Sequence, residues 1–191
     1  MKIAITGGIG SGKSYVCSIL KSKGIEVYDC DSAAKQIMVK SKHVVSELKN
    51  LIGDEAYVDG KINKSCISSF ILASKDNAEK VNNIVHPAVA RDFEDSGLKF
   101  MECAILFSCD FDKLVDRVVC VTAPLEVRIQ RIIKRDSISE EKAKEWIDCQ
   151  MSQNQIVSLS DFVIENNGDN TVDEQVDRLL YWLKNEDKKN I

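Results

Sequence analysis

The sequence predicts an α/β protein built on a parallel sheet, and two observations carry that expectation. One is a strand, a glycine loop and a helix in direct succession at the start of the chain, in MKIAITGGIGSGKSYV. The other is the alternation of strand-like apolar runs with stretches of helical spacing further on, because parallel strands need crossover helices that cover the sheet on both faces.

The elements follow in order. KIAIT (2–6) is a short apolar run with glycines behind it, which reads as a buried strand. From Ser14 onward, Val16, Cys17, Ile19 and Leu20 recur at helical spacing until Lys23, and Gly24 sits where a helix-ending glycine belongs. IEVYD (25–29) reads as a second strand, with Asp29 and Asp31 at its end. Residues 32–97 form a mostly helical block, with periodicity around 43–52, 64–73 and 76–95, a turn at 58–61, and a Pro87 that either kinks a helix or begins one. Strand-like runs return at LKFMECAILF (98–107) and RVVCVTA (117–123), and DFVIENN from 161 supplies a fifth. Two helices are expected between the last two strands, one over about 124–135 and one opened by a capping box of Ser137 with Glu140. A final helix opens at Thr171 with a second capping box and buries Val176, Leu179, Leu180 and Leu183.

Composition bounds the function. The 191 residues suit one domain with a substantial core, and 2 prolines with 9 glycines leave no room for linkers. A net charge of -4 gives no general pull toward nucleic acid or an anionic membrane, so any polyanion site must be local. No apolar run approaches the roughly 18 to 20 residues that span a bilayer, and the opening stretch is not a signal peptide. Seven cysteines without a C-x-x-C pair do not suit a disulfide framework and point to a reducing, cytoplasmic setting. The two histidines, His43 and His86, lie at no zinc-finger spacing.

The chemistry concentrates in Gly7-Gly-Ile-Gly-Ser-Gly12-Lys13-Ser14, which fits G-x-x-x-x-G-K-[ST] in full. Glycines let backbone N–H groups turn around phosphate oxygens, the following helix N-terminus adds positive potential, Lys13 neutralises the outer phosphates and Ser14 can ligate Mg2+. A phosphate loop alone is common to switch GTPases, motor ATPases and small-molecule kinases. Neither N-K-x-D nor D-x-x-G occurs, and the length leaves little space for motor machinery, so a kinase acting on a small acceptor gains by elimination. Arg128, Arg131 and Arg135 share one helical face beside an apolar one, which is either a phosphate-facing stripe or a solvated surface. Asp29 and Asp31 sit at the strand edge where open α/β sheets bind ligands; each is either a base for an acceptor hydroxyl or a cap for the next helix, Asp31 being well placed to cap.

Together these segments resemble the dephospho-CoA kinase family. TGGIGSGKS is similar to its phosphate loop, VYDCD (27–31) to its V-x-D-A-D element, His86-Pro87 to its HP pair and RIQRIIKRD (128–136) to its lid, followed by Gln150 and DFVIENNG (161–168). The resemblance covers nearly the whole chain and implies a three-layer P-loop kinase with a five-stranded parallel sheet. The implied parts are a core at 1–31, 98–123 and 154–191, a helical CoA-binding region at 32–97 and a lid at 124–153. It implies ATP and dephospho-CoA as substrates with Mg2+, and no nucleic acid or membrane partner. Lys13, Asp31 and Arg131 would be catalytic, Asp31 and His86 would meet the acceptor, and Ser14 would hold the metal. Gly8, Ile9, Gly10, Ser11, Gly12, Lys13, Ser14 and Tyr15, with Arg135, would hold ATP. Two departures stand out: Ala104 and Ser108 replace the proline and glutamate of the family's P-L-L-F-E, and Tyr15 replaces a threonine. A kinase with another acceptor and an ATP-binding protein with weakened catalysis are the alternatives.

Overall fold

The computed structural model describes residues 1–168 and 171–189, so residues 169–170 and 190–191 of the expected core lie outside the described residues. The chain divides into two units, residues 29–97 and the remainder.

Strand β1 (Ile3–Thr6) is buried at every position, as an apolar run inside a parallel sheet must be. The glycine loop leads from it into α1 (Lys13–Ser22), whose Val16, Cys17, Ile19 and Leu20 face the core. Gly24 ends this helix as expected: at φ 81° its N–H reaches the Lys21 carbonyl, and the Ile25 N–H reaches that of Leu20, the two bonds of a Schellman closure. β2 (Val27–Asp29) follows.

The second unit begins with α2 (Cys30–Lys40) and α3 (Lys42–Ile52). Its cap corrects one expectation. Asp29, not Asp31, caps α2: its carboxylate accepts from the Ser32 N–H at 3.0 Å and the Ser32 hydroxyl at 2.7 Å, which leaves Asp31 in the first helical turn. The turn at 58–61 joins two short strands, β3 (Tyr57–Val58) and β4 (Lys61–Ile62), into a hairpin, with Asp59 and Gly60 both at positive φ as a tight two-residue connection demands. α4 (Lys64–Ala73) is capped by Asn63, and α5 (Lys75–Ser96) by Ser74. Pro87 lies within α5 and does not begin a helix. Val81, Val85, Val89 and Phe93, four residues apart along α5, form its buried stripe.

The chain then returns to the first unit. β5 (Phe100–Glu102) is much shorter than the apolar run 98–107 suggested. Its neighbour β1 ends at Thr6, so after the Cys103 N–H bonds to the Ile5 carbonyl no ladder partner remains, and residues 104–110 turn instead. β6 (Arg117–Thr122) leads to α6 (Leu125–Asp136), α7 (Glu140–Asp148) and α8 (Gln153–Ser158). Three helices therefore stand where two were expected. Ser137, expected to cap the second, is the left-handed residue ending α6, so Ser139 caps α7; a full capping box belongs to Ser152 and Gln155 at α8.

β7 (Phe162–Glu165) and α9 (Val172–Lys189) complete the unit. The five strands lie in the order β2-β5-β1-β6-β7, with parallel registers at β1/β5, β1/β6 and β6/β7. The core packs α1 and α9 on this sheet through Val16, Ile19, Leu20, Val176, Leu179 and Leu183. Each such side chain contributes about 1.5–3 kcal/mol on burial, and together they anchor the sheet edge from which the glycine loop emerges.

Candidate active site

An anion cradle needs backbone N–H groups turned inward, so its carbonyls must turn outward and find donors there. Arg128 Nε donates to the Ile9 carbonyl at 2.9 Å. Arg131 Nη1 donates to the carbonyls of Gly10 and Ser11 at 3.3 and 3.1 Å, and the Asn166 amide adds a second bond to Ser11 at 3.0 Å. Arg131 Nη2 also bonds the Asn166 carbonyl and Oδ1, both at 3.1 Å, so α6 and the end of β7 are tied to the loop through one fork. Gln150 accepts the Ile9 N–H at 2.8 Å.

At the loop's far end Gly12 precedes α1 with φ 96°, and a Cβ there would fall 2.0 Å from Asn166 Nδ2. Backbone conformation and the approach of Asn166 each exclude a side chain. Lys13 Nζ lies across the loop, donating to the carbonyls of Gly7 at 2.8 Å and Gly8 at 3.4 Å. The hydroxyl of Ser11 is buried without a partner, as is that of Thr6 at the end of β1. The first turn of α1 carries no acidic residue to offset its positive end. An unpaired buried hydroxyl, an ammonium and a helix N-terminus in one loop fit a phosphate chain.

Ser14 Oγ donates to Glu102 Oε1 at 2.9 Å, from α1 to the end of the adjacent strand β5. Behind them, burial and then the Glu102 charge push the Cys17 thiol well above its ordinary value, so it stays neutral. Among the described residues no three His, Cys, Asp or Glu side chains gather as a metal cage. That donor set fits Mg2+, which keeps several waters and takes one or two protein oxygens with substrate phosphates.

The family model described as dephospho-CoA kinase matches residues 1–172. The chain belongs to the dephospho-CoA kinase family. It is 37% identical to the dephospho-CoA kinase of Bacteroides fragilis over 190 residues, 96% of this chain and 93% of that one. The crystal structure of TT1252 from Thermus thermophilus superposes with a TM-score of 0.81 at 29% identity, covering 97% of each chain. Shikimate kinase from Acinetobacter baumannii, at 15% identity and a TM-score of 0.57 over 97% of this chain and 93% of that one, shares the P-loop kinase fold.

In this chain, Gly8 to Ser14 and Arg131 converge on one loop, while the other expected residues are placed differently. Tyr15 is 52% exposed on α1. Arg135 is on the surface and bonds the neighbouring Asp136 at 2.7 to 3.1 Å. Asp31 and His86 belong to the second unit. Asp31 is exposed on α2; His86 is half-buried on α5, where desolvation lowers its pKa and keeps the ring neutral at neutral pH. Ala104 and Ser108 lie in the turns after β5, and nearby Asp110 pairs with Lys113 at 2.7 Å. Glu102 and Asn166 are site residues that the sequence did not single out. The one signal for Glu102 was an acid within an apolar run.

Proposed function

We propose that the protein transfers the γ-phosphate of ATP to the 3′-hydroxyl of dephospho-CoA, giving CoA and ADP, in the cytoplasm. The observation that carries this reading is the glycine loop with its carbonyls tied outward by Arg128, Arg131 and Asn166, in a chain of the dephospho-CoA kinase family.

The inward N–H groups of the loop and the N-terminus of α1 hold the phosphates, and Lys13 shifts from the loop carbonyls onto the outer phosphate oxygens. Ser14 and Glu102 would hold Mg2+, which would supply positive charge against that of the transferring phosphate. Asp31 takes the proton of the 3′-hydroxyl as that oxygen bonds to phosphorus and the bond from the γ-phosphorus to the β–γ bridging oxygen breaks. With Asp29 occupied as the cap of α2, Asp31 is the carboxylate left for this role. Neutral His86 supplies a hydrogen bond to the acceptor, whose binding region we assign to 32–97. Arg131 and Arg135, in a lid over 124–153, bring donors to the transferring group, Arg135 leaving Asp136 to do so. All seven cysteines are free thiols, which supports a reducing compartment. No described helix is long and apolar enough to cross a membrane.

The test is ATP consumption with dephospho-CoA, adenosine and AMP compared as acceptors. Rapid turnover with dephospho-CoA alone is expected, and equal or greater turnover with another acceptor would overturn the assignment.

A further inference from the structure

Arg128 stands apart from the other cations of the molecule. It is 5% exposed, yet among the described residues no carboxylate pairs with it, and its hydrogen bonding is confined to Nε on the Ile9 carbonyl. Arg131 spends its two terminal nitrogens on carbonyls and Asn166, and Arg135 has Asp136. Burying a guanidinium is costly unless an opposite charge and further acceptors compensate it. Nη1 and Nη2 of Arg128 have no such acceptor, although arginine offers five N–H donors in a fixed fork.

The fork lies against the glycine loop. A Cβ on Gly8 would sit 2.4 Å from Arg128 Nη2, 2.9 Å from Cζ and 3.4 Å from Nη1, and one on Gly10 would meet the Arg128 carbonyl at 2.7 Å. These two positions thus lack side chains where α6 presses its arginine onto the loop. Securing the Ile9 carbonyl needs only one donor, which an uncharged amide could give. A permanently charged side chain only 5% exposed, whose unpartnered terminal nitrogens keep their access to solvent, is explained if an anion arrives beside it. We infer that Arg128 is a further phosphate-binding residue of the nucleotide site, its terminal nitrogens donating to the triphosphate of ATP held by the glycine loop. This rests on the loop being the ATP site, as proposed above. Burial lowers the guanidinium's pKa without discharging it, which agrees with a cation awaiting its counter-charge.

The inference separates from a purely structural role by opposite signs in two readouts. Arg128→Gln removes the buried charge, so the free variant should melt at or above the native temperature. Its Kd for an ATP analogue with Mg2+, by calorimetry, should rise about 10- to 100-fold, and the affinity should fall less steeply with salt than the native one. Adenosine, which has no phosphate, should bind native and variant alike. Arg128→Lys, with charge but no fork, should recover part of the ATP affinity. A lower melting temperature of Arg128→Gln with unchanged ATP affinity would overturn the inference, as would equal losses for ATP and adenosine, or failure of both variants to fold. A native protein that binds ATP but phosphorylates no acceptor would overturn the proposed reaction and leave these affinities to judge Arg128. One without ATP affinity would overturn both.

Discussion

Replacing Glu102 by glutamine tests the pairing of α1 with β5 at the metal end of the loop. The amide retains an oxygen to accept from Ser14 Oγ, now at 2.9 Å from Oε1, so the fold has no reason to shift. The negative charge is lost, and with it the carboxylate oxygen offered to Mg2+. A hydrogen bond to a charged group contributes about 1.5–3 kcal/mol against about 1 for a neutral one. Ser14 is exposed, so the lower end applies and the bond itself loses about 0.5 kcal/mol, too little to unsettle the fold. The metal loses more, because even a carboxylate that only supports a metal ligand typically costs about 10- to 100-fold in metal affinity when removed. The assay is turnover against Mg2+ concentration at saturating ATP. The half-saturating Mg2+ should move up by about tenfold or more while the melting temperature holds. An unchanged Mg2+ requirement would refute the argument and reduce the Ser14 and Glu102 pair to a strand-to-helix tie.

Lys13→Ala should abolish most transfer while leaving the fold intact, because its ammonium meets loop carbonyls and not the apolar core, and a variant with near-native turnover would remove the lysine from the mechanism. Asp31→Asn should lower turnover by at least about 10²-fold with little change in melting temperature, whereas Asp29→Ala, which removes the α2 cap, should lose about 0.5–2 kcal/mol of stability; native activity in Asp31→Asn would end its role as base. Cys149, exposed at the end of α7, should be alkylated by iodoacetamide at pH 8 well before Cys120, which burial raises to about 11, so that only about a thousandth of it is thiolate at that pH. Mass spectrometry of partly labelled protein reads the order, and equal rates would contradict the burial of Cys120.

What was legible in the sequence was local. The strand, loop and first helix, with the Gly24 ending, follow from residues adjacent in the chain, and so do β6 and the stripe of α9. The length of β5 was not legible, because it depends on where β1 stops and not on the apolar character of residues 98–107. The capping ambiguity at Asp29 and Asp31 turned on a two-residue choice of helix start. Ser137 was misread because a left-handed ending for α6 competes with a cap for α7, and no periodicity separates the two. Within the site, Lys13 and Ser14 announce themselves by spacing. Glu102, Gln150 and Asn166 become partners of the loop only through the sheet order and the path of the chain after β6.

The outward ties of the glycine loop also fix when, along a growing chain, nucleotide can first be held. Arg128 reaches Ile9 across 119 residues, Gln150 reaches it across 141, and Asn166 reaches Ser11 across 155. Contacts of such separation close late, after the entropy of a long loop has been met. A nascent chain carries the complete glycine stretch from its first residues, but the Ser11 carbonyl gains its second donor, Asn166, and Arg131 its anchor there, only when the segment around residue 166 has been made. ATP therefore meets the fully tied cradle only once β7 has joined the sheet. The stabilisation it brings falls on the assembled unit as a whole and not on the N-terminal strand and helix alone.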